Sequence, residues 1–416
     1  MRKHLRASDL RGLARLATQA TEGVTDIVEG VHRSVLGTLG IAGPQPARTR
    51  GMTGLVYRSI HAVTRGVGRG IDAALVALQP LLESAQDSAP GTPQREAVLA
   101  ALNGVMGDRL AADDNPLSTR MSLQYRRTTL DWRQSAALPD AKGQVVLLIH
   151  GLCMNDLQWR TTHDGHVVDH GDTVAEALGS SPLYLRYNTG RHISDNGREL
   201  ASQLEQLLSH WPLPIETLTV VAHSMGGLLI RSACHYGRKA GLRWPARLKN
   251  IVFLGTPHHG APLERAGNGI DLLLGSTRWS APFAKLAQLR SAGITDLRYG
   301  HVLDEDWQGR DRFRRHPDRR GIVPLPDDVA CFTIAATTAS KRSTLADRLV
   351  GDGLVPLHSA LGRHDDARRS LRFAPDAEWI AFRTNHMALL SRPEVGERIV
   401  RWLRPDGAKG PRPSSA

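Results

Sequence analysis

The sequence predicts an α/β protein built on a mostly parallel sheet with helices on both faces. Three observations carry this. Strand-like apolar runs alternate with helical patterns from about residue 123 to residue 403. One of those runs, Gln144–Ile149, is continuously apolar, as a strand buried on both faces requires. Another, Leu218 to His223, breaks at a serine and restarts at once as a helical pattern.

The first 115 residues read as a helical region without any catalytic motif. Val24, Ile27, Val28, Val31 and Val35 recur at helical spacing, and a second stripe runs Val56, Ile60, Val63, Val67, Ile71, Ala74, Leu78. The break Gly43-Pro44-Gln45-Pro46 between them makes an amphipathic αα-hairpin, and a third short helix spans Gln94 to Leu110. Glycines scattered through the hairpin cost roughly 1 kcal/mol each relative to alanine, so close packing or a surface must compensate. The expectation is a hairpin packed on itself or on the core as a cover. Its rival is a hairpin docked on a lipid surface, with Arg58, Arg65 and Arg69 near anionic headgroups.

Residues 116–404 form the second expected domain. An edge hairpin around Leu123 to Trp132 precedes the Gln144–Ile149 strand. A strand at Leu183–Tyr187 leads into a helix from Asp195 to about Leu208. Strands follow at Leu218, Ile251, Val329 and Trp379, and a last helix opens at Pro393 and runs through Ile399, Val400 and Leu403. The stretch from about Ala261 to Pro326 contributes no strand. Its helical patches Ile270–Leu274 and Phe283–Leu289 suggest a cap over the carboxyl edge of the sheet. Residues 405–416 read as a disordered tail.

The serine break has the form of a nucleophile elbow. A strand-to-helix turn lifts the Ser224 hydroxyl out of the sheet edge at a strained position, and Ala222 and Gly226 are small because strand and helix crowd that turn. An acyl-transfer serine also needs an oxyanion hole, an acid and a base, in the chain order serine, acid, histidine. The Gln144–Ile149 strand ends in His150-Gly151-Leu152, and the expected oxyanion donors are the backbone N–H groups of Leu152 and Met225. Asp352, set between Gly351 and Gly353 after the Val329–Ala335 strand, is the expected acid. Asp304, Asp306, Asp365 and Asp366 sit in polar, loop-like stretches and read as solvated surface charges.

The base is His386, where the strand beginning at Trp379 stops. Because the hydroxyl needs one base, the other histidines are given bland roles. His150 and His223 read as framework of the oxyanion loop and elbow. His258 and His259, in Gly255-Thr256-Pro257-His258-His259-Gly260, read as lining of the cleft, and His358 is a rival close behind the acid. With no metal-ligand spacing of histidines or cysteines, no metal and no cofactor is expected.

Together, His150-Gly151-Leu152, Ala222-His223-Ser224-Met225-Gly226-Gly227, Leu254 to Gly260, Asp352-Gly353-Leu354-Val355-Pro356 and Asn385-His386 resemble the lipase-like α/β-hydrolases over about residues 120–404. In particular they resemble the branch containing bacterial triacylglycerol lipases and GPI inositol-deacylase-like proteins. The resemblance implies the α/β-hydrolase fold and serine esterase chemistry on carboxylic esters through an acyl-enzyme, with Ser224, Asp352 and His386 as the triad. The expected partner is an ester substrate of lipid-like character. Acyl transfer to an alcohol other than water uses the same residues and is one rival. A lipid- or granule-surface protein with secondary hydrolase activity is another. Several lipases of this branch hold a structural calcium, for which no acidic cluster is assignable here.

At 416 residues the chain is long for one hydrolase domain, in keeping with an appended region. The three cysteines, Cys153, Cys234 and Cys331, lie in or beside apolar elements and read as buried free thiols. The net charge of +12 would suit nucleic acid, but the arginines are scattered without an aromatic-basic platform, and no nucleic-acid partner is expected. The dense run Arg310 to Arg320, partly offset by Asp311 and Asp318, reads as a solvated loop; a phosphate or anionic lipid head bound at its margin is the rival. Neither a leader pattern nor a long apolar segment is found, so the expected location is the cytoplasm, with peripheral membrane contact as the variant.

Overall fold

The computed structural model describes residues 8, 9, 11, 12, 15, 93–132, 138, 140–261, 291–310, 318–340 and 351–404. The expected N-terminal hairpin, the apolar patches of the expected cap, most of the arginine-rich run and the C-terminal tail lie outside these residues.

Eight strands form one sheet: β1 (Ser122–Tyr125), β2 (Thr128–Thr129), β3 (Gln144–Ile149), β6 (Ser181–Arg186), β7 (Thr217–His223), β8 (Leu248–Leu254), β9 (Ala330–Thr337) and β10 (Glu378–Phe382). Their order is β10-β9-β8-β7-β3-β6-β1-β2. From β10 to β6 every pairing is parallel; β1 runs antiparallel to β6 and to β2. The described helices are α1 (Pro93–Ala112), α2 (His170–Leu178), α3 (Ile193–His210), α4 (Met225–Lys239), α5 (Ala292–Tyr299), α6 (Leu357–Ala360) and α7 (Pro393–Leu403). None of the described helices is long and apolar enough to cross a membrane.

Successive strand side chains point to opposite faces, so a continuous apolar run supplies two cores at once. Val145, Leu147 and Ile149 of β3 join Val220 and Ala222 of β7 in the cluster that packs against α3 and α4. Val146, Leu148 and Val221 enter the opposite cluster with Val174 of α2 and Val395 and Ile399 of α7. All of these side chains are buried. The helix expected at Gln94 to Leu110 is α1, and its Ala101 and Val105 belong to the first of these cores.

Two local features depart from the sequence reading. A two-stranded antiparallel ribbon, β4 (Arg160–His163) with β5 (His166–Asp169), was not anticipated, because its strands are short and mostly polar. The β1–β2 hairpin turns through Arg126 and Arg127, both at positive φ (48° and 64°). That backbone suits Asn-Gly far better than two arginines, so the turn carries no sequence signature.

The chain divides into two compact units, Met1–Arg95 with Ala112–Ser118, and Glu96–Ala111 with Thr119–Ala416. Within the first, Arg95 grips the carboxylate of the buried Asp9 at 2.6 and 2.7 Å. Asn115 there donates to the carbonyl of Gly12 at 3.2 Å and accepts from the N–H of Leu117 at 2.9 Å.

Candidate active site

The parallel strands deliver their carboxyl ends to one edge, where Ser224 follows β7 and His386 follows β10. Ser224 lies between β7 and α4 with φ 53° and ψ −123°. A non-glycine residue in this region costs on the order of 1–3 kcal/mol, so the surroundings must hold it. They do so through two bonds: the Ser224 N–H donates to the Leu254 carbonyl at 2.8 Å, and its carbonyl accepts from Gly227 N–H at 3.0 Å. The expected crowding is present. A Cβ on Gly226 would lie 2.5 Å from the carbonyl oxygen of Ile149 and 2.9 Å from that of His150.

Asp352 and His386, thirty-four residues apart, are brought together. Nδ1 of His386 lies 2.7 Å from Oδ2 of Asp352, and both side chains are fully enclosed. The other carboxylate oxygen, Oδ1, accepts from the N–H groups of Leu354 at 2.9 Å and Val355 at 2.7 Å. The backbone of the two residues is joined as well, His386 N–H donating to the Asp352 carbonyl at 3.0 Å. Facing an oxygen that accepts, Nδ1 is the donor of this pair, which leaves Nε2 for other contacts. That Nε2 is buried without a hydrogen-bond partner.

His223 fastens the imidazole to the elbow. Its ring centroid lies 4.6 Å from that of His386, and its Nε2 donates to the His386 carbonyl at 3.2 Å. Burial holds the His223 ring well below the usual histidine range, and the neighbouring His386 adds to this, so it stays neutral. His150 also keeps a framework position. Burial pushes its pKa down to about 4, Nδ1 lies 3.0 Å from the Gly151 carbonyl, and the ring stacks on Tyr187 at 4.5 Å.

The loop after β3 closes over the serine. A Cβ on Gly151 would be 2.9 Å from Cβ of Ser224. Leu152 and Met225 are both buried, and among the described residues neither backbone N–H has an acceptor. Two braces that the sequence reading missed hold this loop: Tyr187 Oη donates to the His150 carbonyl at 2.9 Å, and Cys153 N–H donates to Thr189 Oγ1 at 3.1 Å. Tyr187 closes the predicted Leu183–Tyr187 strand, and its place beside β3 was the available hint.

The remaining candidates part from this cluster. His258 and His259 line a separate cavity of about 590 Å³ that none of Ser224, Asp352 or His386 touches. His358 is on the exposed side of α6. Among the rival acids Asp306 corrects the sequence reading: it is fully buried, not solvated, and accepts from the N–H groups of Val302, Leu303 and Gly321 at 2.7–3.0 Å. The three cysteines are free, Cys153 and Cys234 buried and Cys331 half-buried. Burial pushes each thiol up to about 12, which leaves Cys153 inert in the loop after β3. Among the described residues no group of histidine, cysteine or acidic side chains could hold a metal ion.

Comparison with known proteins bears on the fold. Residues 140–324 match the family model of the PGAP1-like alpha/beta domain. No curated protein matches the chain by sequence. Similar solved structures include a Bacillus licheniformis lipase in mature form (18% identity, 63% of this chain and 93% of the lipase, TM-score 0.38). A Pyrococcus furiosus esterase aligns at 13% identity over 68% of this chain and 89% of its own, with a TM-score of 0.36. A Staphylococcus hyicus lipase aligns at 10% identity over 64% of this chain and 97% of its own, with a TM-score of 0.37. With the PGAP1-like match over residues 140–324 and an eight-stranded, mostly parallel sheet flanked by helices, the fold is that of an α/β-hydrolase.

Proposed function

We propose that this protein is a serine esterase or lipase that cleaves carboxylic esters of lipid-like character through an acyl-enzyme. The observation that carries the reading is the enclosed Asp352–His386 pair, whose Nε2 has no hydrogen-bond partner, together with the strained elbow backbone at Ser224. In this mechanism Ser224 Oγ attacks the ester carbonyl carbon while His386 Nε2 takes the hydroxyl proton. Asp352 remains ionised and stabilises the imidazolium. The N–H groups of Leu152 and Met225 receive the oxyanion, and losing one such donor typically costs about 3–4 kcal/mol of barrier stabilisation. Collapse expels the alcohol, which leaves with the proton from His386. Water, deprotonated by the same nitrogen, then frees the acid and regenerates Ser224.

The test is turnover of p-nitrophenyl esters of increasing chain length, run with and without an added alcohol, together with fluorophosphonate labelling. The expected result is hydrolysis, a single label on Ser224, and loss of both in Ser224→Ala with the fold unchanged. Normal turnover by purified Ser224→Ala would sink the serine mechanism. Product esters outrunning free acid in the presence of alcohol would reassign the chemistry to acyl transfer.

A further inference from the structure

Arg231 lies two helical turns beyond Ser224 on α4, about 10 Å along the helix axis. Its side chain is buried, with 5% of the residue exposed. Nη2 donates to the Val323 carbonyl at 2.6 Å, Nε is buried without a partner, and among the described residues no carboxylate lies within ion-pair distance. Asp306 is the acid that acts on it, and its oxygens are already committed to three backbone N–H groups. Burial, with a further push from Arg320, lowers the guanidinium to about 10. A buried cation without a counter-charge is expensive, and chains rarely keep one without a use for it.

Arg231 faces the cavity of about 590 Å³ between α4, the segment 320–331 and the segment 367–374. His258 lines it too, 1% exposed and with neither ring nitrogen bonded. Arg320, Arg368, Arg369 and Arg372 complete the positive lining, against Asp327 as the one carboxylate among the lining residues. Asp318 occupies Arg320 at 2.7 and 2.9 Å, and Asp366 lies 2.9 Å from Arg368 and 3.8 Å from Arg369. Arg372 is exposed to solvent, so among the described residues the buried lining charge without a carboxylate partner is Arg231. Val323, Leu325, Val329 and Leu371 give the rest of the lining an apolar character.

We propose that this cavity binds a small molecule carrying a phosphate monoester, with Arg231 as the buried counter-charge of the phosphate. His258 adds a hydrogen bond from its neutral ring, Arg320 and Arg369 attract the anion at the mouth, and the apolar lining covers the organic part. Phosphate fits better than a carboxylate because donors converge from several directions on one group with multiple acceptor oxygens, and a planar guanidinium engages two of them side by side. Arg320 also ends the arginine-rich run at whose margin the sequence admitted a phosphate. The site is separate from the ester-cleaving chemistry and does not depend on it.

The test uses the full chain in buffer free of polyvalent anions, titrated first with inorganic phosphate and then with glycerol 3-phosphate, by calorimetry and thermal unfolding. One site should fill with each, the two should compete, and both should raise the unfolding temperature. Arg231→Met should weaken binding at least tenfold. In anion-free buffer it should unfold at the same or a higher temperature than the parent, because an apolar side chain replaces an unpaired charge. Arg320→Gln provides the measure at the mouth if Arg231→Met does not fold, with a several-fold loss of affinity expected. Absence of binding by the parent, or equal binding by parent and Arg231→Met, overturns the proposal. A third arm adds vesicles of phosphatidic acid in phosphatidylcholine. If these bind while glycerol 3-phosphate neither binds nor competes, the phosphate recognised is that of a lipid surface, and the enclosed small-molecule site is wrong.

Discussion

Replacing Asp352 by asparagine tests the proposed triad at its most constrained point. Oδ1 accepts two backbone N–H groups, from Leu354 at 2.9 Å and Val355 at 2.7 Å, so the amide oxygen must take that place. The NH2 group is then turned toward His386 Nδ1, where Oδ2 now lies at 2.7 Å. A donor there requires Nδ1 to be an acceptor, which moves the imidazole proton to Nε2, the atom that must take the serine proton. All three hydrogen bonds persist in kind, so the fold should be unaffected while the base is locked in the wrong tautomer. Such a loss is worth about 10⁴ in kcat for a serine triad. At 1.36 kcal/mol per tenfold, that is about 5 kcal/mol of transition-state stabilisation. The assay is kcat for p-nitrophenyl butyrate on purified Asp352→Asn, with circular dichroism and a thermal melt to confirm folding. A folded variant within tenfold of the parent would refute the assignment of Asp352 as the residue that orients the base.

Ser224→Gly should abolish turnover yet raise stability by about 1 kcal/mol or more, since φ 53° is strained for serine and not for glycine; a melt unchanged or lowered would contradict the strain at the elbow. Gly226→Ala pushes a methyl to 2.5 Å from the Ile149 carbonyl oxygen, a rigid backbone neighbour, and should destabilise by about 1–3 kcal/mol, read from denaturant midpoints. Acid should weaken the fold well before the carboxylates titrate. His150 and His259 have folded pKa values pushed down to about 4 and about 3 by burial, and burial also lowers those of His170, His223 and His258. Above the unfolded value near 6.5 neither state binds these protons. Below it the unfolded chain takes up protons that the folded chain refuses, so stability falls with pH by up to about 1.4 kcal/mol per unit for each histidine. A melting temperature that stays flat from pH 7 to pH 5 would show that these rings are not held neutral.

The strands and the elbow were legible because their causes are local. A strand buried on both faces must be apolar throughout, as Val145–Ile149 is, and the turn at Ser224 must have a small residue where Gly226 meets the β3 carbonyls. The pairing of Asp352 with His386, 2.7 Å apart, was legible through chain order and the strand ends that precede them. What was not legible depends on partners distant in sequence. Asp306 reads as a loop carboxylate until the fold sets three N–H groups around it, one of them fifteen residues away on Gly321. Asp296 is similar, buried between His192 at 3.0 Å and His301 at 3.2 Å, a pairing that α3 and α5 create only when packed. Arg231 is one of the scattered arginines in the sequence. Only burial without a carboxylate distinguishes it from the solvated ones.

The sheet order explains how the loops after β3, β8, β9 and β10 reach the same sheet edge as Ser224. The loop proposed to hold the oxyanion follows β3, which pairs directly with the elbow strand β7, so that approach is short. His386, the proposed base, follows β10, three places away across β9 and β8, about 14 Å at the usual strand spacing. Something must let His386 lean back across the two intervening strand ends. Gly255, the first residue past β8, does so by having no side chain: a Cβ there would sit 3.2 Å from both Nδ1 and Cε1 of the His386 ring and 2.8 Å from Leu389. Its φ of 56° is also a backbone that glycine adopts freely, and its N–H donates to the Ile334 carbonyl of β9 at 2.8 Å. The Leu254-Gly255-Thr256 stretch thus belongs to the proposed active site without supplying any reacting atom. It keeps clear the space over which the imidazole reaches toward the elbow, while Asp352, arriving from the β9 side, holds the far edge of the ring.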